Sequence, residues 1–234
     1  TGASGFIGKR LSYNLAQRHR VICMSRKNPG LNLPWIKGTF TSFEDLAQVD
    51  RYQIDTLVHL GAVTGGMTER DCFLVNVEGT RCLLKYLITR GCRKFVLASS
   101  IAAVGFQDPL FRPTQLPIKD EHICLDRNGY GMSKYLMEEI SRYYYRQHQQ
   151  IDIINLRLSS VCADENLPPL KLVSPLAEWS LGSITIMSLS DATRAFTMAV
   201  ESSYKPGVRI MNTAGPLSWT AVPVVEILRN WWGD

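Results

Sequence analysis

The sequence lacks the patterns that indicate a metal centre, a disulfide scaffold or a membrane span. Its six cysteines form no C-x-x-C or C-x-x-H pair, which argues against a zinc site. Several of them lie in apolar or helical stretches, where a free thiol behaves as a small hydrophobic side chain. No apolar run approaches the roughly 18 residues that a bilayer span requires, and no signal-peptide pattern is recognisable. We therefore expect a reducing, cytoplasmic setting, with no metal and no membrane partner.

Clustered charge of one sign is also missing. The formal net charge is +5, and the 26 Lys and Arg residues are spread along the chain without a basic block or interleaved aromatics. This distribution argues against a nucleic-acid partner and is compatible with a small anionic ligand. Hydrophobic residues make up 45% of the chain and charged ones 20%, a composition that supports a core stabilised by burial alone.

Apolar runs that could form strands alternate with stretches of helical period. The runs are continuous rather than alternating, as in strands buried on both faces of a parallel sheet, and cover 19–25, 55–60, 93–99 and 151–158. The helical stretches between them are 8–18, 70–91 and 129–149. This order predicts an α/β fold with a doubly wound, Rossmann-like parallel sheet.

The alternation breaks after residue 158. A proline-rich stretch at 167–183 is predicted to be an irregular insert, and helix, strand and helix return at 190–203, 207–213 and 218–232. We therefore divide the chain into a nucleotide-binding domain, 1–158, and a smaller substrate-binding portion, 159–234, with returning α/β elements.

The opening TGASGFIG has the spacing of a phosphate-binding turn. Gly2 would permit the tight turn, Gly5 would let the backbone approach a pyrophosphate, and Gly8 would allow close packing of helix on strand. Three glycines alone also fit an ordinary turn, but the following helix and strand favour a dinucleotide site at a helix N-terminus. Because such a turn normally follows a buried strand, we expect a central strand before Thr1.

The end of the second strand predicts which dinucleotide binds. NAD-specific sites place an Asp or Glu there for the ribose hydroxyls, whereas this chain has Ser25, Arg26 and Lys27. A guanidinium suits a 2′-phosphate, so NADP is favoured over NAD. The alternative is that Arg26 is only a solvated charge at a strand end.

Two further patterns could carry chemistry. Tyr130 and Lys134 are four residues apart and share one helix face, where an ammonium would lower the pKa of a phenol. A Y-x-x-x-K match also arises by chance in about half of chains of this length. Ser99 and Ser100 end a predicted strand at the edge where α/β sheets bind ligands, although such residues also serve merely to turn the chain.

Together and in order, these segments resemble the extended short-chain dehydrogenase/reductase family, in its NAD(P)-dependent sugar epimerase/dehydratase group. The resemblance runs from Thr1 to at least residue 215 and also rests on HLGA (59–62), NVEGT (76–80), SSIAAVG (99–105), YGMSK (130–134), LRLSSV (156–161) and SDATRA (190–195). Single motifs of this kind are common, whereas seven in order are not.

The resemblance implies a role for each matching residue. Tyr130 would be the general acid/base, Lys134 would lower its pKa and hold the nicotinamide ribose, and Ser100 would steady the reacting oxygen. Asn76 and Thr80 would lie on the flanking helix. The implied cofactor-binding set is Gly2, Ser4, Gly5, Phe6, Ile7, Gly8, Arg26, Leu60, Gly61, Ala62, Asn76, Ser99, Tyr130 and Lys134.

The implied activity is hydride transfer that interconverts an alcohol and a ketone. The substrate would be sugar-like, including nucleotide sugars, or a small carbonyl compound, and the outcome epimerisation or reduction. Members of this family commonly dimerise through the helices that correspond to 70–91 and 129–149, which implies a homodimer. The alternative is a scaffold or redox sensor that binds NADP without turnover.

Departures from the family pattern bear on the expected reaction and on the expected adenine contact. Ile101 and Ala102 stand where dehydratases carry Asp-Glu, which argues against 4,6-dehydration, and Gly38–Thr39 stands where the family often has an adenine-contacting Gly-Asp. His59 is interpreted as a buried, hydrogen-bonded imidazole, and Asp120–Glu121 as a solvated acidic turn.

Overall fold

Parallel strands form the framework of the protein, whose computed structural model describes residues 1–64, 66–170 and 181–233. The strands are β1 (Cys23–Ser25), β2 (Trp35–Lys37), β3 (Thr56–His59), β4 (Lys94–Ser100), β5 (Asp152–Leu158), β6 (Ser160–Cys162), β7 (Ile186–Ser188) and β8 (Gly207–Thr213). The main sheet has the order β3–β4–β5–β8, accompanied by the pairs β1–β2 and β6–β7, and every pairing among these strands is parallel. The predicted α/β class is confirmed. Residues 171–180 of the predicted insert lie outside the described residues.

Helices cover both faces of the main sheet. They are α1 (Phe6–Leu15), α2 (Phe43–Ala47), α3 (Glu69–Asp71), α4 (Thr80–Ile88), α5 (Gly129–Gln147), α6 (Leu189–Glu201) and α7 (Val224–Trp232). A π-helical segment, Cys72–Gly79, joins α3 to α4. The predicted helix 70–91 is therefore one continuous rod with a wider central turn, and it ends before Gly91, whose φ of +86° suits a helix terminus.

Burial on both faces explains the continuous apolarity of β4. Phe95 and Leu97 pack into the layer that contains α4 and Tyr144 of α5. Val96 points the other way and packs with Phe196 of α6 and with residues of α1. Because successive side chains of a strand alternate between faces, each half of the apolar run serves a different layer.

Strand β5 divides its side chains in the same way, but one face is polar. Ile154, Leu156 and Leu158 pack toward α1 and α6. Asn155 and Arg157 point toward α5, and both are 1% exposed or less. Buried polar groups must be paired to offset their lost hydration, so these two side chains tie the sheet to α5.

An apolar cleft separates β1 from β3. Its volume is about 530 Å³, and Met24, Ile36 and Leu57 are among its lining residues. Residues 1–3 touch both rims: the Thr1 amino group donates to the Val58 carbonyl (2.7 Å), and the Ala3 N–H to the Met24 carbonyl (3.5 Å). A strand parallel to β1 and β3 in this cleft would join the two sheets. The central strand expected before Thr1 stays a prediction.

Part of the C-terminal region packs into the same layers as the N-terminal elements. Strand β8 pairs along all of β5, and α6 packs on α1. A separate apolar cluster unites the segment after β4 with α7 through Val104, Phe111, Leu181, Ile184 and Ile227. The division of the chain at residue 158 stays a prediction, with β8 and α6 as its returning elements.

Two predicted boundaries differ from the structure by more than three residues. The strand predicted over 19–25 is limited to β1, because its only strand partner among the described residues is the three-residue β2. The last helix begins at Val224 rather than near 218, because Pro223 stands at its N-cap and could not donate a backbone hydrogen bond inside a helix.

Helix α5 begins at a well-defined cap. The Asn128 side chain accepts a hydrogen bond from the N–H of Gly131 (3.0 Å), while Asp126 accepts from the backbone and side chain of Asn128. This arrangement fixes the first turn, which carries Tyr130.

We predict that Asn128→Ala lowers the free energy of unfolding by about 1 kcal/mol, because the amide of the first turn loses its acceptor. Asn128→Ser retains a capping oxygen and should lose much less. Urea denaturation of the two variants and the wild type measures the difference. Equal stability of the alanine and serine variants would contradict the capping role.

Candidate cofactor and active site

The glycine loop is shaped by close approach of backbone segments. Gly2 has a φ of +75°, and a Cβ on it would lie 2.7 Å from the Gly61 nitrogen. A Cβ on Gly8 would overlap the Gly2 carbonyl. Both positions therefore require glycine. Helix α1 starts directly after Gly5 without a side-chain cap or an acidic residue in its first turn, so its free N–H groups and positive dipole end suit a phosphate.

The loop after β3 packs against the glycine loop. The Leu60 N–H donates to the Thr1 carbonyl (3.2 Å), and the ring of Phe40 lies where a Gly61 side chain would be. The structure thus brings together the two predicted cofactor segments, residues 2–8 and 60–62. Ser4, Gly5 and Phe6 are exposed at their junction.

His59 lies beneath this loop and is 1% exposed. Its Nε2 hydrogen-bonds the Thr80 hydroxyl (3.0 Å), and its Nδ1 the Thr1 hydroxyl (2.6 Å). Burial lowers the pKa of His59 well below its usual value, and the positive charge of Lys134 adds to this effect. The interpretation as a buried, hydrogen-bonded imidazole is confirmed.

Ser100, Tyr130 and Lys134 converge where β4 ends beside α5. The Ser100 side chain lies close enough to Tyr130 to affect its pKa, and Lys134 Nζ lies 5.8 Å from the centre of the Tyr130 ring. Lys134 Nζ also donates to the Ala98 carbonyl (2.8 Å). A strand end and the first two turns of one helix therefore place a hydroxyl, a phenol and an ammonium around one point.

Burial dominates the acidity of this group. It raises the pKa of Tyr130, and the Ser100 hydroxyl opposes the rise only in part. The expectation that Lys134 lowers the pKa of Tyr130 stays a prediction. Burial also lowers the pKa of Lys134 to about 8, and Glu138 and then Cys72 oppose that shift.

Asn76 projects from the π-helical segment and is 0% exposed. It accepts from the Val63 N–H (2.8 Å) and donates to the Val63 carbonyl (3.0 Å) and the Ser133 hydroxyl (3.0 Å). These bonds use both amide hydrogens, so in this structure Asn76 joins the loop after β3 to α5. Direct contact of Asn76 with a cofactor stays a prediction.

Comparison with known protein families identifies the family of this chain. A sequence model of the NAD dependent epimerase/dehydratase family matches residues 1–200. The chain belongs to this family. It is therefore an enzyme of the NAD(P)-dependent epimerase/dehydratase group, as the resemblance implied.

Curated relatives and solved structures agree with this assignment. The dTDP-4-dehydro-6-deoxyglucose reductase of Escherichia coli is 24% identical in an alignment of 260 positions, which covers 97% of this chain and 79% of that protein. The UDP-glucose 4-epimerase GEPI48 of Cyamopsis tetragonoloba is 35% identical over 82 residues, or 35% of this chain and 22% of that protein. The structure of UDP-glucose 4-epimerase from Bifidobacterium longum, with NAD+ and UDP, superimposes with a TM-score of 0.74 at 18% identity, covering 91% of this chain and 76% of that one.

The turn after Ser100 is apolar. Ile101 and Ala102 are 4% and 0% exposed and carry no carboxylate. The expectation that the enzyme does not eliminate water stays a prediction.

The loop after β1, which we expect at the adenosine ribose of the cofactor, is basic. Arg26 and Lys27 are exposed just after β1, and Lys9 Nζ lies 3.8 Å from the Cβ position of Gly30. The sequence analysis singled out Arg26 but not Lys9, which approaches only through the packing of α1 beside this loop, and contact of either residue with a cofactor stays a prediction.

A carboxylate from another element lies beside Gly38–Thr39, where the family resemblance implies an adenine-contacting Gly-Asp. Asp45 of α2 accepts from the Thr39 N–H (2.7 Å), and a Cβ on Gly38 would lie 2.8 Å from the Asp45 side chain. The chain therefore places an acidic group beside Gly38–Thr39, although the sequence lacks one at that point.

A buried polar network lies beneath the active site. The Ser99 hydroxyl donates to Glu138 (2.6 Å), so its side chain is directed into the protein, and cofactor contact by Ser99 stays a prediction. Glu138 is paired with Arg157, which also donates to the Asp120 carbonyl. Asp120 lies in a turn, is partly exposed and additionally accepts from the Asn212 N–H (2.7 Å), whereas Glu121 is exposed, so the interpretation as a solvated acidic turn fits Glu121 and fits Asp120 only in part.

The described parts of the chain show neither a metal centre nor a membrane segment. Within residues 1–64, 66–170 and 181–233, no three His, Cys, Asp or Glu side chains are grouped so that they could hold a metal ion. Over the same ranges, no helix combines the length and the apolarity needed to cross a membrane. All six cysteines are free thiols.

We predict that NADH affinity is constant below about pH 7.5 and falls as the pH rises through 8. The pKa of Lys134 is about 8, so the ammonium expected to hold the nicotinamide ribose loses its charge above that pH. Loss of one charge-assisted hydrogen bond corresponds to about a tenfold rise in Kd, or about 1.4 kcal/mol.

Titration of the protein with NADH, followed by nicotinamide fluorescence from pH 7 to 9.5, measures this dependence. NADH avoids the additional titration of a 2′-phosphate. Lys134→Met should bind weakly at every pH, without the alkaline fall. An unchanged alkaline fall in that variant would assign it to another group.

Proposed function

We propose that this enzyme interconverts an alcohol and a ketone on a sugar-type substrate, using NADP or NAD. The convergence of Ser100, Tyr130 and Lys134 beside the glycine loop carries this proposal, because each proton-handling group expected of such a reaction is present. The names of its relatives, which include a dTDP-sugar reductase and a UDP-glucose 4-epimerase, support a nucleotide sugar as the substrate class.

The bound nicotinamide would supply or accept the hydride. Tyr130 gives a proton to the ketone oxygen in the reducing direction and removes it from the alcohol in the other. The Ser100 hydroxyl lies beside Tyr130 and orients the same oxygen. The buried Lys134 ammonium provides positive charge that favours the phenolate when Tyr130 has lost its proton.

Epimerisation and reduction both include hydride transfer to a ketone. An epimerase first makes that ketone by oxidising its own alcohol and then returns the hydride to the other face, whereas a reductase begins with an external ketone and releases oxidised cofactor. The E. coli reductase aligns over 97% of this chain, which supports reduction, and the several UDP-glucose 4-epimerases among the relatives support epimerisation. Product analysis with dTDP-4-dehydro-6-deoxyglucose and with UDP-glucose separates the two.

The basic loop after β1 supports a preference for NADP. Arg26, Lys27 and Lys9 together offer three cations at the ribose end of the cleft, and the terminal Ser25 of β1 carries no carboxylate to repel a phosphate.

The implied homodimer also remains a proposal. Leu74 on the π-helical segment and Tyr143 on α5 are 51% and 45% exposed, which supports an apolar contact through these two elements. The mass of the protein in solution tests it.

We predict that Tyr130→Phe lowers kcat by about 10²–10⁴-fold, because the phenolic proton is lost while the ring is kept. Its Kd for NADPH should change less than about threefold. NADPH consumption with dTDP-4-dehydro-6-deoxyglucose and isomerisation of UDP-glucose measure turnover.

Tyr143→Phe is the matched control, since it removes an exposed phenol from the same helix. Full activity in Tyr130→Phe would refute the acid/base role. Tight NADPH binding by the wild type, with no turnover of any sugar nucleotide, would favour the non-catalytic scaffold.

We predict that the wild type binds NADPH at least about tenfold more tightly than NADH, a difference of about 1.4 kcal/mol. Arg26→Ala should weaken NADPH binding and leave NADH binding unchanged. Arg146→Ala, at an exposed position on the far end of α5, serves as the charge-matched control. Preferential NADH binding by the wild type would refute the role of Arg26.

A further inference from the structure

The reaction described above leaves one buried ion pair unused. Glu138 and Arg157 are 0% and 1% exposed. Two parallel hydrogen bonds join them, from Arg157 Nε to Glu138 Oε1 (2.8 Å) and from Nη2 to Oε2 (2.7 Å). Burying two charges carries a large desolvation penalty, which such a pair recovers only with good geometry and further hydrogen bonds.

Glu138 and Arg157 each form a further hydrogen bond to a segment beside the candidate active site. Ser99 donates to Glu138 Oε1 (2.6 Å), and Ser99 is the residue before Ser100. Arg157 Nη1 donates to the Asp120 carbonyl (2.8 Å), in the segment that leads to α5. One carboxylate therefore connects the helix of Tyr130 with the strand of Ser100, and its partner extends the connection to the preceding loop.

Glu138 also lies one helical turn after Lys134, on the same face of α5. The other titratable groups around Lys134 are Tyr130 on α5, Cys72 on the π-helical segment and His59 on β3. Of these neighbours, Glu138 raises the pKa of Lys134 most, against the lowering by burial. Without this negative charge, Lys134 would lose its proton at a lower pH.

We propose that Glu138 and Arg157 are positioning residues that hold Ser100 and Lys134 against Tyr130 and keep Lys134 charged. The proposal rests on the proposed function and deepens it, because neither residue contacts the reacting atoms. A purely structural role would leave the charge of Lys134 independent of the pair.

A variant without buried charge separates the two roles. Buried ion pairs replaced together by apolar residues of similar volume often keep or gain stability. Glu138→Met with Arg157→Met removes both charges, and Ser99→Ala removes the hydroxyl that would lose its acceptor. This triple variant should fold, whereas Glu138→Gln alone leaves the Arg157 charge buried.

The experiment measures NADH binding from pH 6 to 9.5 by nicotinamide fluorescence, with thermal unfolding as the test of folding. Glu138→Gln and the triple variant should both shift the alkaline loss of affinity to lower pH by about one unit. Glu139→Gln is the matched control, because Glu139 is the next residue on α5 and forms a surface pair with Arg142. It should leave the pH dependence unchanged.

Each outcome decides the proposal. A triple variant that folds and shows the wild-type pH dependence overturns it and leaves the proposed function intact. Failure of both variants to fold also overturns it, because the pair is then needed for stability alone. Failure of the wild type to bind any nicotinamide dinucleotide overturns the proposed function and this proposal with it.

Discussion

Burial of β4 and β5 on both faces is the constraint on which the rest of the structure depends. Apolar side chains satisfy it toward α1 and α6, but Asn155, Arg157 and Ser99 point toward α5. A polar group in a dry interior needs a partner, and each of these finds one on that helix. The same requirement that stabilises the sheet therefore fixes α5, and with it Tyr130 and Lys134.

Desolvation also sets the chemistry of the site. It raises the pKa of Tyr130 and lowers the pKa of Lys134, so both groups are shifted toward their neutral forms. The Ser100 hydroxyl and the negative charge of Glu138 oppose these shifts. The balance leaves Lys134 with a pKa of about 8, so that it is mostly charged in neutral solution, while Tyr130 holds a proton that it can donate.

The arrangement of the two predicted cofactor segments, residues 2–8 and 60–62, depends on close backbone contact rather than on side-chain charge. Gly2 and Gly8 permit the loop to fold against residues 60–62, and the uncapped start of α1 faces the space between them. Charged side chains lie near these segments: Arg26 follows β1, Lys9 is on α1 and Asp45 is on α2. The backbone arrangement suits a dinucleotide in general, and the preference between NAD and NADP stays a prediction.

The sequence by itself determined the features that depend on local pattern. Continuous apolar runs predicted the buried strands, glycine spacing predicted the turn at residues 2–8, and four-residue spacing placed Tyr130 with Lys134. Only the tertiary structure decided that Glu138 meets both Arg157 and Ser99, that Asp45 lies beside Gly38, and that the pKa of Tyr130 rises. Local pattern follows from the periods of helix and strand. Distant pairing and the exclusion of water depend on how all layers pack together, which neighbouring residues in the sequence do not encode.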